Sequence, residues 1–175
     1  MNSFVLVTGA TGFTGRWLVD KLRNEKVRIK VIARPSRRAE ELQAPGCEVF
    51  EGQIYDPATV AAACRDIDYI IHIAAAFREA GVSDDIYGKV HVDATKLLAR
   101  AAAAIPGFKR FVHVSTMGVH GHIENPPATE ESPYGPGDLY QETTLEAELW
   151  ISDFANKSAM SLAVIRPTCI YGPAD

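Results

Sequence analysis

Cysteine is scarce in this chain, with only three residues, Cys47, Cys64 and Cys169, far apart in the sequence. They form no CxxC pair and have no histidine at metal-ligand spacing, which excludes a disulfide framework and a zinc site. Reduced, mostly buried thiols are expected instead. A basic surplus is missing too: 18 Lys and Arg against 22 Asp and Glu give a net charge of −4, so there is no electrostatic reason to expect a nucleic-acid partner. No apolar run approaches the roughly 18 residues needed to cross a bilayer, and Met1-Asn2-Ser3-Phe4 lacks the start of a signal peptide. The expectation is a cytoplasmic protein without a membrane partner. Repeats and low-complexity tracts are also absent. What is present, 47% apolar and 23% charged residues over 175 positions, describes about one ordinary globular domain.

Periodicity shows strand and helix in alternation. Short apolar runs at Phe4 to Thr8, Arg28 to Ala33, Glu48 to Glu51, Tyr69 to Ala74, Arg110 to Ser115 and Ser161 to Arg166 read as strands. Helical spacing covers Gly12 to Arg23, Asp56 to Cys64, Asp85 to Ala104 and Leu139 to Asn156. Parallel neighbours need crossover connections, and right-handed crossovers place helices on both faces, so the fold class is a doubly wound α/β sheet of the Rossmann type. One irregular stretch, Gly118 to Gly137, is longer than a connection requires and marks a candidate functional loop. Of the five histidines, His72 and His113 sit in alternating apolar strands and are expected to be satisfied core residues, while His120 and His122 lie in the Gly-rich loop.

Directly after the first strand stands Gly9-Ala10-Thr11-Gly12-Phe13-Thr14-Gly15, and the next helix begins inside it. The first glycine permits a tight reversal, the second a close approach to a pyrophosphate and the third a close packing of helix on strand. The helix N-terminus adds free N–H groups and partial positive charge. Strand, motif and helix come in the order that a dinucleotide site requires.

The spacing is GxxGxxG, and here the sequence resembles the extended short-chain dehydrogenase/reductase family, the epimerase/dehydratase and dihydroflavonol-reductase-like branch. The resemblance continues through HIAAA at 72–76, VHVDATKLLARAA at 90–102, FVHVST at 111–116, LYQETTLEAE at 139–148 and IRPTCIYGPAD at 165–175. It implies a dinucleotide-binding domain over 1–175 whose substrate-selecting C-terminal part is missing, since such proteins continue well past the YGP loop. Gly9, Thr11, Gly12, Phe13 and Gly15 would then seat the pyrophosphate. Ala74, Ala75 and Ala76 would line the adenosine ribose, Gln53 and Ile54 the adenine, and Pro167 and Thr168 the nicotinamide. At the end of the second strand, where an acid would read a free 2′-hydroxyl, stands Arg34, followed by Arg37 and Arg38. A guanidinium fork matches a 2′-phosphate, so NADP(H) is expected, with NAD possible.

The same resemblance implies a catalytic Tyr140 with Thr116, and Ser115 beside it, as hydroxyl partner. Four residues after the tyrosine the family carries a lysine, which holds the nicotinamide ribose and lowers the phenol pKa. This chain has Thr144 there, and His91 where the family has an asparagine. Thr144 carries no charge, though it could give one hydrogen bond to a ribose. Two readings stay open: an NADP(H)-dependent oxidoreductase or epimerase/dehydratase acting on a carbinol or carbonyl of a small molecule, a sugar nucleotide or small ketone, and a nucleotide-binding module or redox sensor without turnover, in which Tyr140 is an ordinary half-buried aromatic. The helices at 85–104 and 139–156 resemble the pair through which family members dimerise, which implies a homodimer.

Overall fold

A computed structural model describes residues 3–25, 27–77 and 83–173. The chain runs β1 (Phe4–Thr8), α1 (Phe13–Asn24), β2 (Arg28–Ala33), α2 (Arg37–Leu42), β3 (Cys47–Glu51), α3 (Pro57–Ala63) and β4 (Tyr69–His72). A short helix α4 (Asp85–Tyr87) then passes through a π-helical turn (Gly88–Asp93) into α5 (Ala94–Ala103). After β5 (Arg110–Val114) come a 3₁₀ turn (Met117–His120), α6 (Leu139–Ser158) and β6 (Leu162–Ile165). The strands form one parallel sheet in the order β3-β2-β1-β4-β5-β6, the doubly wound arrangement expected.

Because side chains alternate across a strand, each strand feeds two cores. Leu6, Ile32, Ile70 and Phe111 point to the face covered by α3, α5 and α6, where they meet Val60, Leu98, Ala102 and Ile151. Val5, Val7, Ile29 and Val31 point to the opposite face, against Val19 of α1 and Ala39 and Leu42 of α2. Lys30, although buried, carries its ammonium out between the rings of Phe4 and Phe50 to the Arg65 carbonyl at 2.5 Å.

The observed elements fall within a residue or two of those read from periodicity, with two differences. Helix α2 was not expected, because Arg37-Arg38-Ala39-Glu40-Glu41-Leu42 shows almost no apolar face; the Ser36 side chain caps it by accepting from the Ala39 N–H at 3.2 Å. The helix expected over 85–104 is broken in register by its π turn, a feature that hydrophobic spacing does not reveal. Cys47 and Cys64 are buried and free, and Cys169 is exposed and free. Among the described residues no helix is long and apolar enough to cross a membrane.

Candidate functional site

The loops at the C-terminal ends of β1, β4, β5 and β6 converge on one edge of the sheet, the place where open parallel sheets bind ligands. Gly9 has φ +74°, and a Cβ there would lie 2.7 Å from the Ala74 nitrogen, so the first glycine loop and the strand β4 exit touch backbone to backbone. A Cβ on Gly15 would stand 2.0 Å from the Gly9 carbonyl oxygen and 2.7 Å from the Ala10 Cα. Only glycine lets α1 start this close to β1. The N-cap residue is Gly12, with no side-chain cap and no acid in the first turn. The first intrahelical bond runs from the Arg16 N–H to the Gly12 carbonyl, leaving the preceding amides of the turn outside the helical ladder. An uncapped helix start in a glycine cradle fits a pyrophosphate, which brings the acceptors and charge that the turn lacks. Arg38 reaches back over this loop, its guanidinium 3.3 Å from the Thr11 carbonyl. Arg34 is exposed at the end of β2.

Behind Ala74 lies a polar network whose hydrogen-bond directions are determined by its ends. The Ala74 N–H donates to Thr8 Oγ1 at 3.3 Å, and Thr8 Oγ1 stands 2.6 Å from His72 Nδ1. On the other side His72 Nε2 is 3.1 Å from Thr95 Oγ1, which donates its own hydrogen to the His91 carbonyl at 2.6 Å. Thr95 must therefore accept from His72, so His72 is the neutral Nε2–H tautomer and takes the Thr8 hydroxyl proton at Nδ1. His91 is fixed in the other tautomer: its Nε2 accepts from the Ala76 N–H at 3.0 Å, and its Nδ1 faces Thr143 Oγ1 at 2.7 Å, a hydroxyl that donates to the Leu139 carbonyl. Burial, together with the nearby imidazoles, pushes the His72 pKa well down, and burial pushes that of His91 to about 4, so both are neutral at physiological pH.

Tyr140, in the first turn of α6, packs edge-on against His91 and Phe77, with ring centroids 5.4 and 5.2 Å apart. Thr144, one turn further on, is buried, and its hydroxyl donates back to the Tyr140 carbonyl at 2.7 Å. That bond commits the Thr144 hydroxyl hydrogen to its own helix. Tyr140 and Thr144 wall a small, partly open cavity of about 20 Å³ with His72, Ala74, Ala75, His91, His113, Val114 and Ala147. His113 is buried, and among the described residues neither ring nitrogen has a hydrogen-bond partner. Burial pushes its pKa to about 4 even though the Glu148 carboxylate pulls it upward.

The remaining expected residues distribute around this centre. Ser115 is buried; its hydroxyl lies close enough to Glu148 to help lower that carboxyl's pKa without reaching hydrogen-bond geometry. Thr116 begins the 3₁₀ turn, its side chain accepting from the Gly118 N–H at 3.1 Å. The Met117 N–H donates to the Pro167 carbonyl at 3.0 Å, which ties Thr116 to the half-buried Pro167 and the exposed Thr168 that follows it. Gln53 is exposed, and Ile54 packs its side chain on the core. The Gly52 N–H donates to the Ala33 carbonyl, holding this turn beside Arg34. Phe13 lends its backbone to the cradle, whereas its ring faces an open pocket of about 350 Å³ with Trp17, Ile170 and Tyr171.

Sequence reasoning passed over Glu148 and Arg166. The Arg166 guanidinium grips the Glu148 carboxylate through Nε, at 3.1 Å from both oxygens, and through Nη2 at 2.5 Å. It also reaches the Tyr134 hydroxyl at 2.9 Å, the Glu130 carbonyl at 3.0 Å and His120 Nε2 at 3.1 Å. One side chain thereby fastens the long loop to the sheet. Burial is the largest single influence and would raise the Glu148 pKa, but the Arg166 hydrogen bonds and charge, with Ser115 and His113, together outweigh it and hold the carboxyl below its ordinary value. The loop's composition gave no sign of this, because both partners lie outside it.

Residues 5–175 match the model of the NAD dependent epimerase/dehydratase family, and the chain belongs to that family. It is 30% identical over 182 residues to the UDP-glucose 4-epimerase of Vibrio cholerae, a match covering 99% of this chain and 53% of that protein. It is 34% identical over 181 residues to the 3 beta-hydroxysteroid dehydrogenase/Delta 5-->4-isomerase of Mycobacterium tuberculosis, covering 98% and 48%. A solved short-chain dehydrogenase/reductase superfamily protein from Agrobacterium tumefaciens, with bound NAD, superposes with a TM-score of 0.79 at 30% identity, over 93% of this chain and 48% of that one. The chain spans about half the length of these relatives.

Proposed function

We propose that residues 1–175 form the dinucleotide-binding domain of an NAD(P)-dependent oxidoreductase or epimerase/dehydratase acting on a carbinol or carbonyl of a small molecule, a sugar nucleotide or small ketone. The observation that carries this reading is the glycine cradle: an uncapped helix start held against β1 and Ala74 by contacts that no Cβ would allow. Gly9, Thr11, Gly12, Gly15 and the Phe13 backbone would hold the pyrophosphate, and Ala74, Ala75 and Ala76 the adjoining ribose. Arg34, with Arg38 over the loop, supports a 2′-phosphate and therefore NADP(H). Gln53 and Ile54 would flank the adenine, and Pro167 and Thr168 the nicotinamide. The bound nicotinamide would supply hydride transfer. Tyr140 would move the hydroxyl proton of the substrate, with Thr116 and Ser115 orienting its oxygen.

One observation favours the second reading, a binding module or redox sensor without turnover. Thr144 brings no cation to Tyr140 and has turned its hydroxyl onto the helix backbone. Calorimetric titration with NADPH and NADH, followed by turnover assays on carbonyl substrates with the chain extended to the length of its relatives, separates the two. Binding with hydride transfer supports the enzyme, binding without it supports the module, and no binding of either cofactor refutes both. The exposed Leu149 and the Trp150–Phe154 stack on α6, beside α5, support a homodimer through these helices. A cytoplasmic setting accords with free thiols at all three cysteines.

A further inference from the structure

The cavity behind Tyr140 contains an unmet demand. Among its polar walls, His72 and His91 have both ring nitrogens engaged, and Thr144 has committed its hydrogen. His113 alone is left with two buried nitrogens and no partner. A neutral imidazole needs one acceptor for its N–H and one donor for its lone pair. Buried groups of this kind are almost always satisfied, by ordered water where protein does not reach. The cavity, partly open to solvent, has a volume of about 20 Å³, which exceeds the roughly 10–15 Å³ that one water requires, and its walls are polar enough to keep it. A larger guest does not fit, and a cation would find three imidazoles and no free carboxylate.

We propose that this cavity binds one small neutral molecule that both donates and accepts hydrogen bonds, a water, and that His113 acts through it as a positioning residue for the Tyr140 side chain. The second half rests on the reading of Tyr140 as the proton-moving group; the first does not. The water meets one of the two His113 needs, at the nitrogen towards the cavity, and turns a hydrogen towards the Tyr140 wall, where it stabilises phenolate over phenol. The groups facing His113 are His72 from β4, His91 from the π turn and Glu148 from α6. The imidazoles are neutral well below the range in which a phenol titrates, and Glu148 is held ionised by Arg166. A change in the Tyr140 titration on altering His113 therefore reports the hydrogen-bonded guest and not a neighbour's charge.

The test uses the full chain. Nuclear magnetic resonance with labelled histidine and tyrosine follows His113 ring protons for cross-relaxation to a long-lived water, and the Tyr140 ring carbon for its titration, with Tyr140→Phe as the blank. In the unaltered chain a water contact at His113 is expected. In His113→Leu that contact disappears and the Tyr140 midpoint rises by about half a pH unit or more, whereas His113→Gln, which still hydrogen-bonds, restores most of it. Absence of a water contact at His113 in the unaltered chain overturns the site. A Tyr140 midpoint indifferent to both substitutions overturns the positioning role. If the leucine variant does not fold, His113→Val, which also lacks a hydrogen-bonding group and suits a strand, takes its place in the titration, and the unaltered chain by itself decides the site. Cofactor affinity, measured alongside, belongs to the glycine cradle, so its failure would count against the proposed function and leave the water site standing.

Discussion

Replacing Glu148 with alanine would strip the Arg166 guanidinium of three hydrogen bonds and of the only carboxylate that pairs with it among the described residues. The Glu148 side chain is 3% exposed and that of Arg166 15%, so water reaches the pair from one side only. Breaking a buried ion pair by removing one partner costs about 3–5 kcal/mol, chiefly through the charge left behind. Partial access of water to Arg166 places the expectation near the lower end, about 3 kcal/mol. With a urea slope of about 1–3 kcal/mol per molar for a small domain, the unfolding midpoint at pH 7 should fall by about 1 M or more. Glu148→Gln keeps the shape and one acceptor and should lie between parent and alanine.

The pH dependence supplies an independent check. The folded-state pKa of Glu148 is held below its ordinary value of 4.5. A depressed carboxyl contributes stability that is fully present above the unfolded pKa and is lost as the pH falls through the folded one. The gap between parent and Glu148→Gln should be constant from pH 7 down to about 5 and shrink below pH 4. Since Arg166 also holds Tyr134, His120 and Glu130, the alanine variant should expose the 118–137 loop to proteolysis before the sheet unfolds. A pH 7 loss below about 0.5 kcal/mol for both variants, or a gap that persists unchanged at pH 3, would refute the assignment of this pair as the anchor of the loop.

The other expectations are more compact. NADPH should bind more tightly than NADH, and Arg34→Asp should reverse the order; equal calorimetric affinities in the parent would sink the 2′-phosphate assignment. Gly15→Ala forces a Cβ onto the Gly9 carbonyl, so unfolding titrations should show a loss of about 1–3 kcal/mol and calorimetry a weakened cofactor; an unperturbed variant would mean that α1 does not start against β1. Sedimentation at tens of micromolar should give a dimer that Leu149→Lys converts to monomer, and a monomeric parent would count against pairing through α6. Thr144→Lys should displace the cavity guest and lower the Tyr140 phenol titration by about 1–3 units through its ammonium; unchanged titration and cofactor affinity would show that a cation at position 144 does not reach Tyr140.

The architecture was legible because parallel strands and their helices leave a two-residue and a near-four-residue period that survive in the bare sequence. Leu6, Ile70 and Phe111 against Val5, Val7 and Ile29 are that alternation made solid. The glycine cradle was legible for a related reason: where backbone approaches backbone, as Gly9 does Ala74, the permitted residue types collapse to one. Helix α2 escaped notice because a short amphiphile built from two arginines and two glutamates, exposed on most of its surface, writes almost no apolar period.

The polar interior follows a different rule, which His72 and His113 illustrate. A strand histidine among apolar neighbours reads the same whether protein groups meet its ring, as at His72, or do not, as at His113. The two differ only in what long-range packing sets beside them. His72 meets Thr8 from β1 and Thr95 from α5, residues 64 and 23 positions away. His113, its register partner on β5, meets instead the small and committed side chains of α6, among them Ala147 and Thr144. A residue longer than threonine at 144 would have filled that space and left His113 no room for a guest. The departure at one helix position, visible in the sequence as a lost charge, thus has a second consequence that only packing reveals: it leaves a cavity, and with it a hydrogen-bonding vacancy on the strand behind.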